Sequence, residues 1–590
     1  MKEDYLLRCN LTDKTISREP IPKDIVQNFI GGRGLGVKYI FNEVPPQTAP
    51  LTQENKLVFA VGPLTGSYAP TSGRYSCISK SPLTNTIFDA NSGGRFGPEL
   101  RNLGVLGLII EGKADNWSYL YLDSEDDVFE VRDASQLKGQ DTWTTIDNLN
   151  TTIKNGLKVA CIGPAGENLG LMACIINDKG HALGRGGLGA VMGSKRLKAI
   201  AIKGKDVPKD NILKEISDQL HLALRKNPVT KSSLPVFGTP VLVNLINELG
   251  MSPTRNFQEG MFDDAPGISG EKLKELYIIK KHACAGCRIA CGHITKVENE
   301  TEGKGPEFET IWSFGSQLGN NDLALICRIN NLCNKLGLDT ISTGSSIGCA
   351  MELSERGLLN GFPKFGEVDS LLEIISNIAF KKGVGNDLSE GSRRLAEKYN
   401  APELSMSVKS LEIPAYDPRG VQGQGLAYAT SNRGGCHLRA YMISTEVLGT
   451  PISMDRFTST GKAGIVKVFE DISALIDSLV LCRFSSFALS AIDYARLLSI
   501  INEIEYSESD IMKIGERIWN LERLYNMKAG FGMKDDTLPK RLLNEPLKIG
   551  NSRGRVVKLD QMLSEYYKIR GWSKKGEPLD EKLKELDLLK

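Results

Sequence analysis

Cys284, Cys287 and Cys291 stand in the run Cys-Ala-Gly-Cys-Arg-Ile-Ala-Cys, and a solitary Cys482 closes Asp477-Ser-Leu-Val-Leu-Cys482 far downstream. Three thiolates in so short a run plus a distant fourth is how a chain wraps one 4Fe-4S cluster. That arrangement obliges remote stretches of the chain to converge. A Cys-x-x-Cys pair alone is also half a zinc knuckle or a redox disulfide. Zinc would need a second pair or two histidines, and His282 and His293 are near enough in sequence to keep that alternative open. The radical-SAM order, Cys-x3-Cys-x2-Cys, is the reverse of what stands here. The iron–sulfur reading, with Cys482 as fourth ligand, is the stronger.

The other eight cysteines, Cys9, Cys77, Cys161, Cys174, Cys327, Cys333, Cys349 and Cys436, are isolated, which is far too sparse for a secreted disulfide scaffold. The chain opens Met-Lys-Glu-Asp-Tyr without an apolar h-region, and no run of about 18 apolar residues follows. A cytoplasmic protein with reduced thiols is expected, without membrane insertion. A net charge of only +2 gives no electrostatic case for nucleic acid or an anionic membrane. At 590 residues the chain exceeds one core and should divide into two to four domains.

Residues 1–208 carry short β-prone runs at Leu57–Val61, Val105–Ile110, Tyr119–Leu122, Lys158–Ile162 and Ala199–Ile202, separated by Gly, Pro, Asn and Ser. The polar stretch Lys203–Asn211 predicts a boundary. Helical periodicity follows at Ile212–Leu224, Asp322–Leu336, Ser370–Lys382 and Ala463–Leu481, with Ile212 placed on the apolar stripe of the first. The expected domains are 1–208, 209–407 and 408–590, the last two divided near Tyr399–Val408. Glu577–Lys590 reads as a short surface helix, and no internal repeat of fixed period is evident.

Glycine-rich elements recur beside arginine. Gly31-Gly-Arg-Gly-Leu-Gly36 lacks the preceding strand that a dinucleotide fingerprint needs. Thr71-Ser-Gly-Arg-Tyr75, Asn91-Ser-Gly-Gly-Arg95 and His181–Gly189 combine open backbone N–H groups with guanidinium forks, a chemistry suited to a polyanion. Taken singly each is a tight turn with a solvated arginine; three in one domain favour an anionic cofactor. The hexapeptides Asn334-Lys-Leu-Gly-Leu-Asp339 and Asp477-Ser-Leu-Val-Leu-Cys482 share one form, as two loops serving two halves of one cofactor would. Gly337 alone would also suit a helix C-cap. Glu309, in Gly305-Pro-Glu-Phe-Glu-Thr310, and His437, in Asn432-Arg-Gly-Gly-Cys-His-Leu-Arg439, supply a carboxylate and an imidazole for proton transfer or carbonyl polarisation.

Together these residues make the chain resemble the tungsten-containing aldehyde ferredoxin oxidoreductase family, nearly end to end. The resemblance rests on Arg185-Gly-Gly-Leu-Gly-Ala-Val-Met-Gly-Ser-Lys195, the Cys-x2-Cys-x3-Cys run and the paired loops. It implies an α+β fold: an N-terminal domain of two β-sheets forming a base, followed by two mainly α-helical domains. It implies tungsten or molybdenum held by two pyranopterins whose phosphates share magnesium, beside a 4Fe-4S cluster on Cys284, Cys287, Cys291 and Cys482. Asn334, Asp339, Asp477, Leu481 and Cys482 resemble the pterin loops. Arg74, Asn91, Gly93, Ala182, Gly184 and Arg185 resemble the pterin and phosphate contacts, with Arg74 between pterin and cluster. Glu309 resembles the acid near the metal and His437 the imidazole facing substrate, with Tyr416 a further pocket residue. The implied reaction is oxidation of an aldehyde to a carboxylate, with electrons leaving to ferredoxin or a partner iron–sulfur subunit.

Three departures accompany the resemblance. Asn334 replaces an aspartate, Val480 replaces a glycine that shapes the second loop's turn, and Arg328-Ile-Asn-Asn331 stands where some members carry Glu-x-x-His for an iron at a homodimer interface. That iron is expected to be absent, and dimerisation stays open. The alternatives are a low-potential reductase subunit of the aromatic acyl-CoA reductase type and a non-catalytic electron-transfer protein.

Overall fold

The computed structural model describes residues 4–205 and 211–589. The centre of the boundary expected at Lys203–Asn211 therefore lies outside the described residues. The N-terminal region forms two six-stranded sheets. The first comprises β1 (Tyr5–Asn10), β2 (Thr15–Pro20), β3 (Leu57–Ala60), β4 (Tyr75–Lys80), β5 (Ile87–Ser92) and β6 (Gly107–Glu111). The second comprises β7 (Ser118–Asp123), β8 (Val128–Asp133), β9 (Lys158–Cys161), β10 (Ile175–Asn177), β11 (His181–Leu183) and β12 (Leu197–Lys203).

The spatial orders are β2-β1-β6-β3-β4-β5 and β11-β10-β9-β12-β7-β8. Reading the second backwards superimposes β1–β6 on β7–β12, one for one. The pairing senses match as well: β1 with β6 and β7 with β12 are the parallel pairs, and the other neighbours are antiparallel. The region is thus a topological duplication, although its sequence carries no repeat of fixed period. Its halves differ in loop and helix lengths, so hydrogen-bond topology survives where a fixed sequence period does not. One local trace remains: Gly62-Pro63 follows β3 and Gly163-Pro164 follows β9.

The remainder is mostly helical. The periodicity at Ile212–Leu224 corresponds to a helix over Ile212–Lys226 that buries Leu213, Ile216, Leu220 and Leu224. Ile212 itself, the first residue of the helix, is 70% exposed. The later patterns correspond to helices Leu323–Leu336, Leu371–Ala379 and Lys462–Leu479, and a short helix spans Asp580–Glu585. Apolar cores cross the linear order. One core joins the first sheet to residues 472–525, and a second runs through helical residues from Val243 to Trp572.

Two helix ends dock the helical part onto the two sheets in the same way. Helix Leu323–Leu336 ends at Gly337 (φ 74°, ψ 49°), and helix Lys462–Leu479 ends at Val480 (φ 59°, ψ 42°). Each left-handed residue is followed by a leucine whose N–H returns to the preceding turn, Leu338 to Cys333 and Leu481 to Ile476. Val480 therefore keeps the turn that glycine would make, although a β-branched residue there carries about 1–2 kcal/mol of strain. The sixth residue of each loop then donates to the segment entering a sheet: Asp339 N–H to Met172, before β10, and Cys482 N–H to Thr71, before β4.

Glycine is required where each helix end meets its sheet. A Cβ on Gly163 would lie 2.3 Å from the Leu336 carbonyl oxygen, and one on Gly62 would lie 2.1 Å from that of Leu479. Gly163→Ala and Gly62→Ala should each lower stability by about 1–3 kcal/mol. Gly267, where a Cβ would meet nothing within 4 Å, serves as control. Its alanine variant should unfold within about 0.5 kcal/mol of the parent in the same denaturation experiment.

Candidate functional site

The three-stranded sheet of β13 (Ile278–His282), β14 (Gly292–Thr295) and β15 (Gly303–Lys304) presents the cysteine run. Cys284, Cys287 and Cys291 lie in the loop closed by the His282–Gly292 pair. Cys482 reaches the same place from the end of helix Lys462–Leu479. The first sheet supplies the floor. Ala285 N–H donates to Gly94, a Cβ on Gly73 would meet the Ala285 oxygen at 2.4 Å, and one on Gly93 would meet Cys284 Sγ at 2.6 Å.

All twelve cysteines are free, and these four alone keep accessible surface; the other eight are buried. Burial pushes the Cys287 thiol up to about 11, and the neighbouring Cys482 and Cys284 charges add to it. Cys291 is raised by burial and by Glu307, Cys482, Cys287 and Cys284. Burial also raises Cys482, with Arg74 opposing. Among the described residues, no three His, Cys, Asp or Glu side chains converge on one ion-sized point. The four thiols thus share one electrostatic neighbourhood without closing on a single ion. The histidines of the zinc alternative face elsewhere: His282 Nε2 lies 3.2 Å from His181 Nε2, and His293 Nε2 lies 3.3 Å from the Pro235 oxygen. A surface cleft of about 450 Å³ opens beside Cys284 and Cys287, walled by Tyr68, Arg95 and His221.

Arg74 stands between this neighbourhood and the interior, its guanidinium bonded to the Asn91 side chain and, at 3.0 Å, to the Asn91 carbonyl. Asn91 in β5 and Ala182 in β11 occupy equivalent strands of the two sheets, and both are half-buried. Gly184 follows β11 with open space where a Cβ would be. Arg185 donates to Asp339 Oδ2 at 3.3 Å, to the Gly435 carbonyl at 2.8 Å and to the Glu412 carbonyl at 2.6 Å. Asp339 also caps the next helix, accepting from Ile341 and Ser342 N–H. Asp477 is held by Arg439 at 2.8 Å and Arg33 at 3.3 Å. Asn334, half-buried, uses its carbonyl to accept from Thr142 Oγ1 at 2.8 Å, and Leu481 is buried.

Glu309 lies in the first turn of helix Phe308–Phe314. Its Oε2 accepts from Ala415 N–H at 3.0 Å, while Oε1 has no hydrogen-bond partner and sits 3.5 Å from His437 Nε2. His437 Nδ1 is likewise unpartnered. Burial pushes Glu309 up to about 8 against the Ala415 N–H and Arg185, and burial with Arg185, Arg433 and Arg483 brings His437 down to about 3. At neutral pH the pair is a carboxylic acid facing a neutral imidazole, not an ion pair. The two side chains keep 15% and 13% of their surface accessible, while the unmet Glu309 Oε1 and His437 Nδ1 are themselves buried.

An aromatic wall surrounds them. Tyr416 packs 5.6 Å from the His437 ring and 5.5 Å from Phe308, and its hydroxyl lies 3.0 Å from that of Tyr441. The structure thus brings Glu309, His437 and Tyr416 into one cluster and the four thiols with Arg74 into another neighbourhood. Tyr441, Arg433, Cys436 and Arg439 were not identified as site residues from sequence. Three of them flank His437 within Arg433–Arg439, a segment whose density of charge was the available signal.

Comparison with known proteins identifies the family. The family model described as aldehyde ferredoxin oxidoreductase, N-terminal domain, matches residues 6–204, and that for domains 2 and 3 matches residues 215–588. The tungsten-containing aldehyde ferredoxin oxidoreductase of Pyrococcus furiosus is 46% identical across 99% of this chain and 98% of its own. That of Thermococcus kodakarensis is 47% identical with the same coverage. A solved structure of the active-site complex BamBC of benzoyl coenzyme A reductase with 1,5-dienoyl-CoA shares the fold, with a TM-score of 0.85 at 23% identity over 99% of this chain and 96% of that one. With both family models spanning almost its whole length, the chain belongs to the aldehyde ferredoxin oxidoreductase family and is an oxidoreductase.

Proposed function

We propose that this protein oxidises a small aldehyde with water, RCHO + H2O giving RCOO−, three protons and two electrons, and delivers the electrons to ferredoxin or a partner iron–sulfur subunit. The observation that carries this reading is that Glu309 and His437 lie 3.5 Å apart with Glu309 Oε1 and His437 Nδ1 buried and without a hydrogen-bond partner among the described residues. The residues present fit the groups that the chemistry requires. Cys284, Cys287, Cys291 and Cys482 would hold a 4Fe-4S cluster, being the four cysteines that keep accessible surface. The loops Asn334–Asp339 and Asp477–Cys482 would hold two pyranopterins. Arg74, Asn91, Gly93, Ala182, Gly184 and Arg185 would face them and the magnesium shared by their phosphates; the open space at Gly184 suits close approach of such a ligand. A tungsten or molybdenum centre bound between the pterins would accept an electron pair, which the cluster would pass on singly.

The chain's own groups orient the substrate and move protons. A neutral His437, bearing one N–H, would donate to the aldehyde oxygen and stabilise the negative charge that develops there. Glu309, once ionised, would take a proton from water or from the reacting carbon centre. Tyr416, Tyr441 and Phe308 form an apolar wall that keeps bulk water from competing. Arg74 would stand between pterin and cluster, and the cleft at Cys284 and Cys287 is where an outside carrier would approach.

Because Glu309 must be deprotonated to act as base and burial holds it near 8, kcat/KM should rise with pH through that value. Activity falling over the same interval would assign the proton step to another group. Glu309→Gln should retain metal and cluster yet lose at least ~100-fold in turnover; near-normal turnover would remove Glu309 from the mechanism. Cys482→Ala should abolish the electron paramagnetic resonance signal of the reduced cluster, and an unchanged signal would exclude Cys482 as ligand. A viologen-coupled assay comparing an aldehyde panel with an aromatic thioester tests the reaction class. Turnover of the thioester alone would support the reductase alternative.

A further inference from the structure

We propose that Cys436 is a buried thiolate, the counter-ion of Arg433, and that it serves as the positioning residue for His437 and Glu309. The inference rests on the proposed role of that pair. Arg433 is 8% exposed, with its guanidinium 5.1 Å from the centre of the Phe88 ring. One nitrogen donates to the Asp89 backbone oxygen, Nη2 donates to Cys436 Sγ at 2.9 Å, and Nε has no partner. The Asp89 carboxylate is already engaged by Arg439 and by Arg33 at 3.6 Å. Cys436 is therefore the one anion-forming side chain in contact with Arg433 among the described residues. A buried guanidinium without an anionic partner is strongly unfavourable.

The sulfur environment agrees. Sγ receives Arg433 Nη2 and, at 3.3 Å, the Leu438 N–H. No described acceptor takes a proton from it. The 2.9 Å contact is short for sulfur, as charge-assisted hydrogen bonds are. The apolar residues clustered with Cys436 are Leu83, Phe88, Leu171 and Leu411. Of the eight fully buried cysteines, seven are pushed upward by burial; only Cys436 is lowered, because Arg433, Arg439 and Arg185 outweigh its burial.

Two consequences reach the site. The Leu438 N–H to Sγ bond closes a short turn with His437 between its ends, and Arg185 holds the Gly435 carbonyl just before it. The imidazole is thereby fixed toward Glu309. The thiolate charge also raises the proton affinity of Glu309. The charged groups facing the sulfur are Arg433 and Arg439 on its own segment, Arg185 after β11, Arg483 after Cys482, Asp89 in β5 and Glu309 itself.

Infrared difference spectroscopy in the S–H stretching region, with protein as purified near neutral pH, tests the charge without reference to turnover. Wild type minus Cys436→Ser should show no S–H band, and Arg433→Gln should gain one. A band lost on serine substitution, or none gained in Arg433→Gln, would overturn the proposal; either variant alone decides the matter if the other fails to fold. In the aldehyde assay, Cys436→Ser should lower kcat by about tenfold, as loss of an orienting partner does, with KM little changed. Its pH midpoint should move below the wild-type value; a midpoint that stays put would show that the charge does not reach Glu309. The expected infrared pattern in a protein that turns over no aldehyde would instead contradict the reaction class while leaving the thiolate in place.

Discussion

Two helix ends pressed against two glycines organise this molecule. The Leu336 and Leu479 carbonyls approach Gly163 and Gly62 so closely that even a methyl group would collide. Each contact brings a left-handed turn, then a leucine, then a residue whose backbone N–H bonds the segment entering one sheet. Because the sheets are topological duplicates, the two loops arrive in equivalent positions. One delivers Asp339 and the other Cys482, each tied by its backbone N–H to the segment entering a strand.

The interior between these loops is charged, and its pairing is nearly complete. Arg33 bridges Glu522 and Asp477, Arg439 bridges Asp477 and Asp89, and Arg185 joins Asp339 to the backbone of Gly435 and Glu412. Such networks are favourable only when each buried member is satisfied. The exceptions are therefore informative. Among the buried side-chain atoms without a partner in the described residues, Glu309 Oε1, His437 Nδ1 and Arg433 Nε fall in one charged neighbourhood. Where a folded chain leaves several buried polar atoms unmet together, a ligand is the natural partner.

Much of this was legible in sequence, for physical reasons. The Cys-x2-Cys-x3-Cys run constrains one hairpin loop, and the five β-prone segments contribute to strands because burial on both faces leaves short continuous apolar runs. The likeness of Asn334–Asp339 to Asp477–Cys482 also had a local cause, since both are helix C-caps followed by the same turn. The fold duplication was not legible: hydrogen-bond order constrains spacing weakly, and only Gly-Pro after β3 and β9 persists. Val480 was expected to alter its turn, but it adopts the left-handed conformation itself, with its side chain close against Gly32. Tyr441 and Cys436 were invisible as site residues because their roles depend on Tyr416 and Arg433 meeting them in three dimensions.

The proposed chemistry requires an iron–sulfur cluster and a pterin-bound heavy metal within one chain, joined by the two helix-end loops. Elemental analysis of the native protein, counting iron, tungsten and molybdenum against protein, puts that requirement to the test. One tungsten or molybdenum is expected for every four irons. Iron in cluster stoichiometry with neither heavy metal, in protein isolated from cells supplied with both, would contradict it.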